Sequence, residues 1–272
     1  MARGAGPQPH AGWLAQLRAH VDRAPAAPRL PLWWQGTRIG SVEPGFMDEI
    51  GRKAAPVLRG LLRKEEHLGE AGWSIAAADL GAALHQVALA MREHGLAHAW
   101  RDEQLAVRDA QGRLLATVER GCVRPLGIAT HAVHLAGYAP DGRHWVQQRS
   151  LDKPNDPGLW DTLVGGMVPA SDSVEQALAR ETGEEAGLAL SQVQGLEYGG
   201  FVTLRGPSAA PHGYVEERID WWRCTVPEGV APDNRDGEVM QFARMAGDEV
   251  CARMEAGEFT AEAALILLDA GL

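Results

Sequence analysis

The sequence predicts a mixed α/β (α+β) protein with two domains, which we place at residues 1–125 and 126–272. The 272 residues exceed the roughly 100–200 residues of an ordinary domain. Helical and strand-like hydrophobic patterns alternate along the chain, as expected where helices pack against a sheet. The pattern changes near Arg124–Gly127. We therefore expect a smaller α+β domain to precede an α/β domain.

The N-terminal domain is predicted to contain a short helix, a strand and a longer helix. The short helix is expected around Trp13–Val21, the strand over Trp33–Val42 and the longer helix over Ile75–Met91. Apolar residues of the longer helix recur at spacings of four, three and four, which is typical of one buried helical face. They are Leu80, Leu84, Val87 and Met91.

Two hairpins are predicted, one on each side of the domain boundary. The segments Gln104–Val107 and Leu114–Val118 flank a polar stretch with a turn glycine. The segments His131–Tyr138 and Trp145–Gln148 flank the turn sequence Pro-Asp-Gly. Each domain therefore contributes at least one antiparallel pair of strands.

The charge balance argues against duplex nucleic acid as a partner. The chain has 26 Lys and Arg against 36 Asp and Glu, a formal net charge of −10. It has no block of basic residues, which a polyphosphate backbone requires. A small anionic ligand that binds together with a metal ion is compatible with this balance.

Neither a membrane span nor a secretion signal is expected. The longest apolar run, Ala263–Leu268, is far shorter than the roughly 20 residues that cross a bilayer. Met1–Gly12 has no apolar signal core. We therefore expect a cytoplasmic location without a membrane partner, and no sequence feature specifies an oligomeric state. The three cysteines form no C-x-x-C pair, so neither a disulfide framework nor a thiolate zinc site is supported.

The segment Gly166–Leu188, called the signature segment below, concentrates acidic residues. It carries one arginine, Arg180, and five carboxylates. These are Asp172, Glu175, Glu181, Glu184 and Glu185. Oxygens of residues 171–173 can cap a helix, and Gly187 can end it, so a helix of about four turns is predicted between them.

On this helix Glu181 and Glu185 share the face of the apolar residues, with Glu184 beside them. Carboxylates that pack together repel one another and take up protons unless a cation compensates them. Mg²⁺ or Mn²⁺ suits carboxylate, carbonyl and water ligands, and commonly also binds phosphates. The alternative is an acidic helix face exposed to solvent.

The signature segment resembles the signature of the Nudix hydrolases, which reads Gly-x5-Glu-x7-Arg-Glu-aliphatic-x-Glu-Glu-x-Gly-aliphatic. Six of its seven strongly specified positions match. Asp172 stands in place of a glutamate, and Thr182 in place of an aliphatic residue. The resemblance implies an α/β/α sandwich for the C-terminal domain. It also implies metal-dependent hydrolysis of a small-molecule diphosphate, with Mg²⁺ or Mn²⁺ as the cofactor.

The resemblance also implies roles for individual residues. Glu181, Glu184 and Glu185 match the metal-binding glutamates, and the carbonyl group of Gly165 matches a backbone ligand. Arg180 matches the arginine that orients one glutamate through a charge-assisted hydrogen bond. We therefore expect Glu184, Glu185 and Arg180 to form the catalytic group. The general base is one of these two glutamates or an acid outside the segment.

Further residues are assigned supporting roles. Gly166 and Asp172 are auxiliary positions of the signature. Glu238 is the acid from outside the segment that we expect near the metal ions. Arg149 and Lys153 precede the segment and either contact phosphate or are solvated cations.

A wider resemblance covers most of the chain. The matching motifs are similar to those of Nudix proteins with an extra N-terminal domain, a group related to the Nudix part of fungal thiamine pyrophosphokinase-like proteins. This resemblance implies a nucleoside- or cofactor-like diphosphate as the substrate, with thiamine diphosphate or a damaged analogue as one candidate. The motifs are Trp100–Glu103, Leu126–Ile128, His134–Leu135, Trp145–Ser150, Asp156–Gly166 and Asp236–Val239.

Two other functions stay open. A Nudix-fold ligand sensor without catalysis is favoured by Asp172 but disfavoured by the intact glutamates. An allylic diphosphate isomerase needs a Cys and a Glu that transfer protons, and no motif places Cys122 or Cys224 in such a pair.

Four other residues have two interpretations each. Glu216 and Glu217 either extend the metal site or lie in a solvated loop before a strand, and His131 and His134 either line a pocket or pack in the core.

Overall fold

The computed structural model describes residues 9–53, 56–97 and 99–272. In chain order, the N-terminal elements are α1 (Ala11–Val21), β1 (Leu30–Trp34), β2 (Thr37–Val42), α2 (Phe46–Lys53), α3 (Pro56–Leu61), β3 (Leu62–His67), β4 (Glu70–Ile75), α4 (Leu80–Glu93), β5 (Gln104–Arg108) and β6 (Leu114–Glu119). They are followed by β7 (Thr130–Tyr138), β8 (His144–Arg149), β9 (Trp160–Asp161), β10 (Val164–Met167), α5 (Val174–Ala186), β11 (Gln194–Pro207), β12 (Tyr214–Thr225), β13 (Val239–Met245), α6 (Gly247–Glu255) and α7 (Ala261–Asp269). One-turn 3₁₀ helices lie at Arg120–Cys122 and Leu190–Gln192.

The N-terminal part is built on a sheet with the strand order β2-β1-β4-β3, and β5 and β6 form a separate hairpin. The predicted hairpin at these two strands is confirmed. The apolar face of α4 belongs to the same buried cluster as the sheet, and its side chains include Leu84, Val87 and Met91. The mixed α+β character predicted for this part is therefore present.

Two boundaries predicted in this part are wrong. The strand expected over Trp33–Val42 is two antiparallel strands, because Gln35 and Gly36 take φ angles of +47° and +75° and turn the chain. The helix expected over Ile75–Met91 begins only at Leu80. Asp79 caps it by accepting a hydrogen bond from the N–H of Ala82 at 3.0 Å, whereas Ile75 ends β4.

The C-terminal part is an α/β/α sandwich around a mixed sheet. The main strand order is β11-β12-β7-β8-β13, with β10 paired to β7 and β9 paired to β8. Strands β12 and β7 run parallel, and the other pairs are antiparallel. Helix α5 packs in the hydrophobic cluster on one face, and α6 and α7 pack in the cluster on the other. The predicted fold class and the hairpin of β7 and β8 are confirmed.

Helix α1 packs with the C-terminal part of the chain. Its residues Leu17 and Val21 are buried in the cluster that contains α6 and α7. The backbone N–H of His10 donates to Glu255 Oε1 at 2.6 Å. By contrast, the N-terminal cluster runs from Leu32 to Ile128. Helix α1 therefore buries its apolar face in the cluster of α6 and α7 and not in the N-terminal cluster.

In the described residues, no helix is both long and apolar enough to span a membrane. Most of Met1–Gly12, the segment used to judge a signal sequence, lies outside the described residues.

Candidate functional site

Helix α5 presents the signature glutamates, and its ends are fixed locally. The Ser173 hydroxyl accepts from the N–H of Gln176 at 3.2 Å, and the Gln176 side chain accepts from the N–H of Ser173 at 2.7 Å. Gly187 ends the helix in a left-handed conformation with φ +64°. The buried Thr182 hydroxyl donates to the carbonyl of Leu178 at 2.6 Å, so the missing aliphatic residue leaves no unsatisfied polar group. The predicted helix and its boundaries are confirmed.

Glu185 is a carboxylate inside the sandwich, with a side chain only 1% exposed. Its Oε2 atom accepts hydrogen bonds from the N–H of Gly165 and from Nε2 of Gln147, each at 2.9 Å. The Lys153 Nζ atom lies 3.7 Å from Oε1. Burial raises the pKa of Glu185 to about 8, and the nearby charge of Glu181 acts in the same direction. A cation close to this group would favour its ionised form.

Arg180 organises the other acids of the segment. Its Nη1 atom donates to Glu181 Oε1 at 3.0 Å and to Glu184 Oε2 at 2.8 Å, and its Nε atom donates to Asp172 Oδ2 at 2.9 Å. Asp172 therefore reaches the arginine despite its shorter side chain. Burial raises the pKa of Glu181 to about 7 even beside this guanidinium. A Cβ atom at Gly166 would lie 2.1 Å from Cδ of Glu181, so this position requires glycine.

Lys153 and Arg149 lie against acidic side chains. Lys153 forms an ion pair with Glu238, which comes from the loop before β13. Arg149 Nη1 lies 3.3 Å from Asp161 Oδ2, and its Nη2 donates to the carbonyl of Asn155 at 3.1 Å. The structure thus brings Arg149, Lys153 and Glu238 close to the glutamates of α5, although all three residues lie outside this helix in the sequence.

A cavity of about 330 Å³, the inner cavity below, unites most of these residues. Eight of the predicted site residues line it: Arg149, Lys153, Gly165, Gly166, Arg180, Glu181, Glu184 and Glu238. Asp172 and Glu185 act from behind this lining, through Arg180 and through Gly165 and Lys153.

Other acidic residues of the inner cavity come from outside the signature segment. Asp161, Glu217 and Glu262 line it. Burial raises the pKa of Glu262 to about 7, and the charges of Asp161 and Glu217 act in the same direction. Sequence reasoning missed Glu262, because an acidic residue in the first turn of a helix such as α7 is ordinary helix chemistry. Asp161 was quoted only within a longer motif.

The residues with two interpretations are now placed. Glu216 and Glu217 both lie in β12, not in a solvated loop. Glu217 lines the inner cavity and forms an ion pair of 2.5 Å with Arg124, whereas Glu216 does not line this cavity. His134 lines the inner cavity and shares a 2.8 Å hydrogen bond between its Nδ1 and the Thr162 hydroxyl, and burial lowers its pKa. His131 pairs with Asp220 and does not line this cavity.

The donor set of the inner cavity fits a divalent cation in chemistry. The side chains of Glu181 and Glu185 are buried, and burial raises the pKa of both, with the charge of a neighbouring glutamate acting in the same direction. Among the residues that the structure describes, no three His, Cys, Asp or Glu side chains are arranged to coordinate one ion. Arg180 instead binds the carboxylates of Glu181 and Glu184, and Lys153 binds that of Glu238.

Comparison with known proteins assigns the part of the chain that carries most of this cavity to one family. The model of the NUDIX domain matches residues 130–266. Nudix hydrolase 20, chloroplastic, of Arabidopsis thaliana is 29% identical over 157 residues, which cover 56% of this chain and 41% of that protein. An uncharacterized Nudix hydrolase of Streptomyces coelicolor is 34% identical over 156 residues, 48% of this chain and 86% of that protein.

A third relative is named as an isomerase and not as a Nudix hydrolase. Isopentenyl-diphosphate Delta-isomerase of Klebsiella pneumoniae is 25% identical over 142 residues, which cover 52% of this chain and 74% of that protein. The chain spans between 35% and 54% of the length of several curated relatives, the Arabidopsis protein among them.

Proposed function

Because the chain belongs to the NUDIX domain family, we propose that it is a metal-dependent hydrolase that cleaves the diphosphate bond of a small molecule. One observation carries this proposal. The glutamates of α5 meet Gly165 and Gly166 in a cavity where burial raises the pKa of Glu181 and Glu185 to about 7 and about 8. Such a cluster is costly for an apo protein and useful for one that binds a divalent cation.

The reaction needs compensation of negative charge. Water attacks a diphosphate slowly, because its oxygens repel the electron pair of the nucleophile. A bound Mg²⁺ or Mn²⁺ supplies neutralising charge for the diphosphate and lowers the pKa of a water molecule. The groups that would hold the metal ion are the carboxylates of Glu181, Glu184, Glu185 and Glu238 and the carbonyl of Gly165.

The remaining residues of the site position these ligands or contact the substrate. Arg180, held by Asp172, fixes the rotamers of Glu181 and Glu184, and Gly166 leaves the space that Glu181 fills. Arg149 and Lys153 are proposed to contact phosphate oxygens once the substrate competes for their present acidic partners. Glu184, Glu185 and Glu262 are the candidates for the base that takes the proton of the attacking water.

For the substrate, we propose a nucleoside- or cofactor-like diphosphate. The motifs from Trp100–Glu103 to Asp236–Val239 support membership in the group with an extra N-terminal domain, with the domain boundary near Arg124–Gly127. Within that group, thiamine diphosphate or a damaged analogue is the candidate to test first. A cytoplasmic location belongs to the same proposal.

The isomerase is the second candidate, because one relative carries that name. Its chemistry needs a reactive thiol near a carboxylate. Burial raises the pKa of Cys122 and of Cys224 to about 12, and neither residue lines the inner cavity. Hydrolysis is therefore favoured. Double-bond migration in isopentenyl diphosphate would identify an isomerase.

The experiment measures the release of phosphate or of monophosphates from a panel of diphosphates with Mg²⁺ or Mn²⁺. The panel contains thiamine diphosphate and its oxidised analogues, ADP-ribose, NADH and dinucleoside polyphosphates. The test variant is Glu185→Gln. The matched control is Glu175→Gln, because Glu175 lies on the same helix, is exposed and accepts a hydrogen bond from the Ser173 hydroxyl.

We expect metal-dependent turnover of at least one compound, lost in Glu185→Gln and kept in Glu175→Gln. Turnover that survives Glu185→Gln would contradict the proposed site. Mn²⁺ binding without any turnover would favour a substrate outside the panel. Absence of both Mn²⁺ binding and turnover would favour the ligand sensor.

A further inference from the structure

A second cavity of about 290 Å³, the outer cavity, adjoins the inner one. Arg120, Arg124, Arg149 and Lys153 are among the residues that line both cavities. Residues 99–101 and 120–124 form one side of the outer cavity, and residues 149–155 and 236–238 also line it. The first two segments lie outside residues 130–266, the part that the NUDIX domain model matches. The N-terminal part of the chain therefore builds part of the cleft.

A buried carboxylate holds the N-terminal side of this cavity in place. Glu119, 2% exposed, accepts the backbone N–H of Arg101 at 2.7 Å and that of Gly121 at 3.4 Å. A Cβ atom at Gly121 would lie 2.4 Å from the carbonyl oxygen of Ala99, so the two segments are in close contact. Arg101 and Arg120 are thus carried by packed backbone, although their side chains reach solvent.

The cations of the outer cavity are not equally compensated. Arg124 is paired with Glu217, and Arg120 Nη1 lies 2.7 Å from Glu103 Oε2. Within the described part of the chain, the guanidinium of Arg101 makes no ion pair or side-chain hydrogen bond. Among the described cations that line the outer cavity, Arg101 is therefore the one without a direct acidic partner.

The charges of Arg101 and Arg120 also reach the acids of the cleft. Although burial opposes it, the pKa of Glu238 is lowered by the bound Lys153 and by the charges of Arg120 and Arg101. Arg120 likewise favours the ionised form of Glu181. Arg120 lines both cavities, and Arg101 lines the outer cavity together with Glu238, so both arginines lie next to the proposed diphosphate site.

We propose that the outer cavity binds a further anionic group of the substrate, a phosphate or carboxylate next to the diphosphate that is cleaved, through Arg101 and Arg120. This inference rests on the proposed function, since it places the diphosphate in the inner cavity. A guanidinium suits such a group, because it donates several hydrogen bonds in one plane. The substrate class is thereby narrowed to compounds with an anionic group beyond the scissile diphosphate. The dinucleoside polyphosphates of the panel have such a group and thiamine diphosphate lacks it, so the former become the compounds to test first.

The test compares two inorganic probes on the full chain in the presence of Mg²⁺. Pyrophosphate fills the inner cavity alone, whereas tripolyphosphate adds one anionic group. Calorimetry measures both affinities at short times, with a phosphate assay to exclude hydrolysis. The variants are Arg101→Gln and Arg101→Lys. The control is Arg108→Gln, because Arg108 lies outside both cavities and donates only to the carbonyl of Gly112.

We expect the wild type to bind tripolyphosphate about tenfold more tightly than pyrophosphate, the scale of one charge-assisted hydrogen-bonded contact. Arg101→Gln should reduce this preference to within about twofold and leave pyrophosphate binding nearly unchanged. Arg101→Lys should keep part of it, and Arg108→Gln all of it. A preference that persists in Arg101→Gln, or a wild type without any preference, would overturn the inference.

The failure of this inference can be told apart from the failure of the proposed function. Metal-dependent turnover with no Arg101-dependent preference would leave the hydrolase and remove the anion site. An Arg101-dependent preference in a chain that hydrolyses no diphosphate would leave the anion site and remove the hydrolase.

Discussion

The two cavities of the cleft contrast in how the chain builds them. The signature acids of the inner cavity, Glu181 and Glu184, come from one helix, α5, whose spacing sets their positions. The cations of the outer cavity come from three separated segments, namely residue 101, residues 120–124 and residues 149–153. A motif on one helix is legible in sequence because its geometry is local. A charged surface assembled by tertiary packing has no such signal.

The same residue type behaves in opposite ways in the cleft. The pKa of Glu185 is raised to about 8 because this carboxylate is buried beside another one. The pKa of Glu238 is lowered, because Lys153 binds it and two arginines lie nearby. Burial and the local supply of positive charge together therefore decide which of these glutamates have raised pKa values.

The largest effect is expected at Gly166. The Gly166→Ala variant would place a Cβ atom 2.1 Å from Glu181 Cδ and force this carboxylate away from its position. We expect kcat to fall on the order of 100-fold, as for a displaced charged group in a catalytic site. Gly183→Ala, on the helix that carries Glu181, is the control, because no atom other than the nearby backbone of that helix lies within 4 Å of its added Cβ. Equal activity of the two variants would contradict the assigned position of Glu181.

A smaller loss is expected from Glu262→Gln. This variant keeps the shape of a side chain in the inner cavity and removes its charge and its capacity to accept a proton. If Glu262 is the base, kcat falls roughly 10- to 100-fold while Mn²⁺ affinity and KM stay within about threefold. Glu258→Gln serves as the control, because Glu258 follows α6 in the chain and pairs with Arg253. An unchanged kcat would leave Glu184 and Glu185 as the remaining candidates.

Asp172 should have a moderate effect, because it acts through Arg180. Asp172→Ala removes the 2.9 Å hydrogen bond to Arg180 Nε and loosens the arginine that orients Glu181 and Glu184. We expect a loss of about tenfold in kcat/KM. Asp172→Glu restores the family residue and should stay within about threefold of the wild type. Parallel losses in both variants would show that the carboxylate itself is not the relevant group.

The same division between local and tertiary structure separates the features that the sequence predicts from those that it does not. The capping residues and the face of Glu181 and Glu185 were predictable, because both are set within a few helical turns. The packing of α1 against α6 and α7 was not, since its partners lie more than 200 residues away. Glu262 was missed for the same reason, and the turn at Gly36 because the apolar pattern continues on both sides of it.

The smallest effect concerns the stability of the metal-free protein. The folded-state pKa of Glu185 is raised from 4.5 to about 8, so the folded chain holds a proton that the unfolded chain releases. Stability is therefore lost as the pH rises through this window. Glu185→Gln removes that penalty, and its free energy of unfolding should exceed that of the wild type by on the order of 2 kcal/mol at pH 8. Near pH 4.5 the difference should vanish.

Urea denaturation at both pH values, in the presence of a chelator, measures this difference. A Glu185→Gln variant that is less stable than the wild type at pH 8 would show that Gln147, Gly165 and Lys153 already compensate the charge.

The most direct test is a calorimetric titration of Mn²⁺ into the full chain, carried out for the wild type and three variants. We expect binding to the wild type, at least tenfold weaker binding to Glu185→Gln, and wild-type affinity in Glu175→Gln and Arg101→Gln. That result would assign the cation to the inner cavity and separate it from the outer one. Equal Mn²⁺ affinity in Glu185→Gln and the wild type would contradict the account.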